Sequence, residues 1–248
     1  MRIITGIVTA LILGMAPAAE AQYATPTAND GRWHYLIAPY FLAPNMEGKT
    51  GLAGVTTDVN ASPGDIFDKL QFGAMAYLQA KKGPWAIGLD WTYMNLRQDG
   101  STALGMSEVD MKQTGLTLAG FKQVTPRVEA MAGLQLTSVR AGLTTTGPLA
   151  IDRSGSWTWV DPVIGGRVNL YEAGKWRITF LGDIGGFGIA SDFTWQAYPI
   201  VSFRVDQGLD LAFAYRAVGI DYETGSGSSK FIYDMVTFGP ELGIGFHF

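Results

Sequence analysis

The chain contains no cysteine, which excludes disulfides, thiol nucleophiles and cysteine metal sites. Its two histidines, His34 and His247, and its scattered carboxylates show no metal-ligand spacing, so neither a metal nor a cofactor is expected. Charged residues make up 16% of the sequence, the net charge is -4 and basic runs are missing, so nucleic acid is not an expected partner. Beyond residue 22 no run of about 18 residues lacks charge, although 47% of the chain is hydrophobic. Helical membrane spans are thereby excluded, and the apolar content must be spread by alternation. Internal repeats, low-complexity tracts and linkers are also missing, and the length suits one domain.

The clearest alternation runs from Val236 to Phe248. Val236, Phe238, Pro240, Leu242, Ile244, Phe246 and Phe248 share one face, while Thr237, Gly239, Glu241, Gly243, Gly245 and His247 share the other. A strand apolar on one side and ending on an aromatic residue suits the lipid-facing wall of a β-barrel. With Phe246 and Phe248 in these positions, the segment resembles the C-terminal assembly signal of bacterial outer-membrane barrels. The resemblance, to small porin-like and opacity-type barrels, covers nearly all of residues 22–248. It implies insertion in the outer membrane of a Gram-negative envelope. It further implies outer-membrane lipid, lipopolysaccharide, the barrel-assembly machinery and possible small solutes as partners.

At the other end, Arg2 precedes an apolar run from Ile3 to Met15, and Ala19-Glu20-Ala21 offers a small-x-small cleavage site. Residues 1–21 read as a secretory signal peptide and 22–248 as the barrel; the apolar run is too short to span a bilayer as a helix.

Dividing the chain at Gly, Pro, Asn and Asp clusters predicts an all-β, antiparallel up-and-down barrel of about ten strands, with eight or twelve as alternatives. The segments fall near 32–44, 71–82, 85–98, 106–123, 127–141, 157–171, 175–189, 194–206, 209–223 and 231–248. An even number suits a bacterial barrel. Tight connections at 82–84, 125–126, 172–174 and 206–208 alternate with mostly longer ones at 45–70, 99–105, 142–156, 190–193 and 224–230, which fits short periplasmic turns and long outer loops. Within the first loop, Ser62, Pro63 and Asp65 predict a short capped helix. Residues 51–59 are left as loop because an extra strand would make the count odd.

Alternation assigns faces. Trp85, Ile87, Leu89, Trp91 and Tyr93 face lipid, leaving Asp90 inside; the same exercise sets Arg177 and Asp183, then Arg204, then Asp210 and Arg216, inward. Charge on the lipid face costs about 2–4 kcal/mol at the midplane, and this assignment leaves essentially none there. Trp33, Trp85 and Trp176 suit one interfacial girdle and Trp157, Trp159 and Trp195 the other. Luminal Asp161 and Arg167 conflict with that for Trp157 and Trp159, so either a bulge flips the phase or these rings rise above the bilayer edge.

The expected lumen lining is therefore Lys81, Arg167, Arg177, Arg204 and Arg216 against Asp90, Glu129, Asp161, Asp183, Asp210 and Glu241. Near balance of sign admits two readings, a polar channel or an ion-pair network filling a narrow barrel; about ten strands lie nearer the filled end. An enzyme is disfavoured. Both histidines fall at the periplasmic end without a Ser and acid at a recognisable spacing, and Asp99, Asp192, Asp221 and Glu223 read as solvated loop acids rather than a rim acid–base pair. Gly182 to Gly188 is glycine-rich, but no helix follows to receive a phosphate.

Overall fold

The computed structural model describes residues 31–52, 55–102, 105–145 and 151–248; the expected signal peptide lies outside the described residues. The alternating segments form β1 (His34–Leu42), β4 (Leu70–Lys82), β5 (Trp85–Thr102), β6 (Gly105–Thr125), β7 (Val128–Thr145), β8 (Ile151–Ala173), β9 (Trp176–Gly185), β10 (Phe193–Arg204), β11 (Leu209–Thr224) and β12 (Phe231–His247). Each pairs antiparallel with its neighbour, and β12 returns to β1, so ten strands close a barrel. Closure is completed by Tyr35 and Phe248, which exchange two backbone hydrogen bonds of 3.0 Å.

Residues 45–70 depart from the expected loop. They form β2 (Asn45–Leu52), β3 (Val55–Ala61) and helix α1 (Pro63–Lys69). Both strands are added together as a hairpin, so the parity argument that kept residues 51–59 out of the sheet does not apply. β2 prolongs β1 along β12: Leu42 faces Glu241 and Asn45 faces Phe238, without loss of register. At the junction the Ala43 carbonyl lies over Gly239, where a Cβ would sit 2.0 Å from that oxygen. β3 ends the sheet, and its run Val-Thr-Thr-Asp-Val-Asn-Ala is polar enough to blunt a free edge. The helix is the one the sequence predicts: Pro63 starts it, and Ser62 and Asp65 form a reciprocal capping box.

Two outer connections are shorter than expected because the ladders continue past the apolar band, β5 with β6 to Thr102–Gly105 and β7 with β8 to Thr145–Ile151. Polar pairs such as Arg97 with Asp110, 3.0 Å apart, support this extension. β9 stops at Gly185 rather than near 189, since Gly186, Phe187 and Gly188 all take positive φ and turn the chain.

The wall is two-faced. Ile87, Leu118, Leu134, Ile164, Phe213 and Leu242 stand exposed on the outside, while Ala86, Ala119, Phe121, Met131, Val163 and Leu181 are buried inside. Trp33, Trp85 and Trp176 are exposed beside the short turns. Lys122 reaches over the Trp85 ring, 5.1 Å from its centroid. The placement of Trp157 and Trp159 in an outer girdle is corrected: β7 and β8 pair without a bulge, and both indoles point inward. Trp157 stacks on Phe231 and Trp159 on Tyr222, each at 3.9 Å. With buried Met46, Val139, Ile220, Tyr233 and Met235 they make an apolar cluster in the outer half of the interior.

Candidate functional site

Alternation sends the polar side chains of neighbouring strands into one space, and there they organise in tiers. The middle tier is centred on Arg216 of β11. Its Nη2 lies 2.5 Å from an Asp90 oxygen on β5, its Nη1 donates to the Tyr40 hydroxyl on β1 at 2.9 Å, and its Nε donates to Gln196 on β10 at 2.8 Å. Tyr40 donates in turn to Asp90 at 2.6 Å, and Gln196 donates to Asp183 on β9 at 2.9 Å. Tyr198, whose ring lies under the Arg216 guanidinium, donates to Glu241 of β12. Six strands thus meet in one group, five through hydrogen bonds and β12 through the Tyr198 ring beneath Arg216, and they include β1, β5 and β10, which are not neighbours and can touch only across the interior.

A second tier lies toward the short turns. Arg167 of β8 and Lys81 of β4 hold opposite oxygens of Glu129 on β7, at 2.6 and 2.9 Å. Arg167 also donates to Gln79 at 2.9 Å and covers the Phe121 ring. Beside it Arg204 and His247 both contact Asp210, at 3.0 and 2.8 Å. Arg177 pairs with Glu172 across the β8–β9 hairpin at 2.7 Å, near the turn. Asp161 stands apart in the outer half, fully buried and bonded to Ser191. Among the expected rim acids, Glu223 pairs with Lys230 at 2.7 Å. Among the described residues no group of three His, Asp or Glu side chains assembles as a metal site.

Above the Arg216 tier is a cavity of about 110 Å³. Its floor is Asp90 and Arg216, and its walls carry Met46, Met75, Met94 and Met235. Sequence reasoning missed these methionines and the two phenols Tyr40 and Tyr198. Tyr198 shares the parity of Gln196, Ser202 and Arg204, so its inward face was readable; the methionines carry no signal beyond apolarity.

No protein-family model and no curated protein matches the sequence. Similar solved structures exist, and they are bacterial outer-membrane β-barrels. Ail, the attachment invasion locus protein of Yersinia pestis, is 10% identical with a TM-score of 0.40, over 87% of this chain and 98% of that one. The translocator domain of the autotransporter NalP from Neisseria meningitidis is 11% identical with a TM-score of 0.48, over 88% and 90%. The Pseudomonas putida toluene transporter TodX is 9% identical with a TM-score of 0.36, over 88% and 89%. The assignment as a barrel rests on the chain's own strand pairing.

Proposed function

We propose that this is an integral outer-membrane barrel of a Gram-negative envelope, exported by a cleaved signal peptide, whose lumen is closed to ions by the Arg216 tier. The apolar outer wall requires lipid around it. The observation that carries the closed lumen is the convergence of Arg216, Asp90, Tyr40, Gln196, Asp183, Tyr198 and Glu241 from six strands. An ion entering would have to break charge-assisted bonds that satisfy otherwise buried charges. The reading assigns no catalytic residue; outer-membrane lipid, lipopolysaccharide and the assembly machinery are the proposed partners.

Single-channel recording of the protein in planar bilayers tests it. The wild type should be silent, and Arg216→Ala should open discrete conductances. Steady wild-type openings whose ion selectivity changes on Arg216→Glu would replace the closed barrel with a small diffusion channel lined by these charges.

A further inference from the structure

The wall of the barrel has a seam. The β1–β4 ladder ends at Pro39–Ala76, and β4 above that point pairs with β5 alone. Pro44 offers no N–H to a neighbour, and α1 occupies the space where a strand would lie, burying Ile66 inward. On the lipid side the Phe67 ring stacks on Phe41 at 5.4 Å, and Phe41 and Phe72 are 53% and 58% exposed. The height of the seam follows from Tyr93, which contacts Phe72 and stands eight residues along β5 from Trp85. At barrel tilt that is on the order of 20 Å, within an apolar band about 25 Å tall.

A second cavity, of about 60 Å³, lies in the seam between Phe41, Ile66, Phe67 and Ala74. Leu42, Pro44, Met75 and Met94 line both this cavity and the larger one above Arg216, so one layer of side chains separates them. Two of the four are methionines, whose unbranched thioethers change rotamer readily. The larger cavity is apolar on Met46, Val218, Ile220 and Met235 and polar on Thr92, Thr117 and Gln135, and its wall holds an unpaired buried acceptor: Gln113 donates to the Tyr233 hydroxyl at 3.0 Å, while its Oε1 has no partner among the described residues.

We propose that the cavity above Arg216 binds a small amphiphile, a ring-sized or short-chain apolar molecule carrying one hydroxyl, that enters from the bilayer through the seam beside α1. The size follows from the volume, since an apolar cavity of about 150 Å³ takes up benzene. The hydroxyl follows from the free Gln113 acceptor, which costs about 1–3 kcal/mol when left unpaired. The route follows from the second cavity, whose lining carries no charged residue, and from the polar tier that closes the floor. This goes beyond the closed-lumen reading and is measured without current: a conducting barrel with a saturable site would overturn that reading and leave this one.

The test is a ¹⁹F NMR titration of the protein, purified from membranes and placed in lipid nanodiscs, with 4-fluorophenol and fluorobenzene. Saturable binding is expected, with fluorophenol preferred. Met235→Trp, or Ile220→Phe should the first variant lose heat-modifiable gel migration, should weaken it at least tenfold. Gln113→Leu should abolish the preference for the phenol. Ala74→Trp should leave affinity unchanged and slow exchange at least tenfold. Non-saturable partitioning that is the same in wild type and Met235→Trp would overturn the site, and unaltered exchange in Ala74→Trp would overturn the route.

Discussion

Asp161 of β8 takes two hydrogen bonds from Ser191, one from the backbone N–H at 2.7 Å and one from the hydroxyl at 2.6 Å. Both residues are completely buried, so this contact ties the turn after β9 into the mouth of the barrel. It complements Gly186, whose N–H reaches the Pro162 carbonyl at 3.1 Å.

Removing that acceptor should free the turn before it unfolds the barrel. Asp161→Ala leaves the Ser191 donors unpaired, a cost of about 1–3 kcal/mol per group. The expected result is rapid proteolytic cleavage near Phe187 and Ile189 with the remaining wall intact, read by mass spectrometry of the fragments. Equal resistance in wild type and variant would show that the turn is held elsewhere.

The Arg216–Asp90 contact calls for a double-mutant cycle in urea titrations. Asp90→Asn and Arg216→Met should each cost about 3–5 kcal/mol, because each leaves one buried partner uncompensated. The double variant should cost clearly less than the sum, a coupling that independent sites would not give. Additive losses would mean that the pair is not the organising contact of its tier.

Brominated lipids distinguish the two sets of tryptophans. Trp85 and Trp176 are exposed beside the short turns and should be quenched. Trp157 and Trp159, stacked on Phe231 and Tyr222 inside, should not be. Comparing single-tryptophan variants, strong quenching at Trp159 would return it to the lipid face.

Deleting Phe248 removes both backbone bonds that join it to Tyr35 and should lower the inserted, heat-modifiable fraction of the protein in outer membranes. Unchanged levels would deprive the terminal aromatic of its assembly role.

How much of this was readable follows from what periodicity encodes. β12 and β5 were legible because apolar and polar residues alternate without interruption, and parity then fixes the side on which Asp90 and Arg216 lie. Parity carries neither height nor azimuth, so nothing in the sequence brings Asp90 to Arg216 rather than to Lys81. The β2–β3 hairpin was illegible for a different reason: its inward face, Met46 with Val59 and Ala61, is short and interrupted by Gly48, Thr50 and Thr57, so its alternation is weak, and backbone pairing to β12 aligns it. At Trp157 and Trp159 two rules conflicted. Strict alternation from Asp161 was the better guide, because a side-chain parity persists along a ladder without a bulge, whereas a preference of tryptophan for interfaces does not bind any one residue.

The Ala43 carbonyl over Gly239 also acts on the register of the whole closure. Sliding β12 by one residue would turn Phe238 or Pro240 inward and Glu241 toward lipid, an error that hydrophobicity alone rejects. Sliding it by two preserves that polarity, so hydrophobicity does not detect it. Such a slip would bring Thr237 or Glu241 under Ala43, where the first side-chain carbon would meet the carbonyl oxygen at 2.0 Å. Gly239 therefore works as a stop that distinguishes the correct closure from its nearest equally greasy competitor, at the one height where β12 exchanges β1 for β2 as its neighbour.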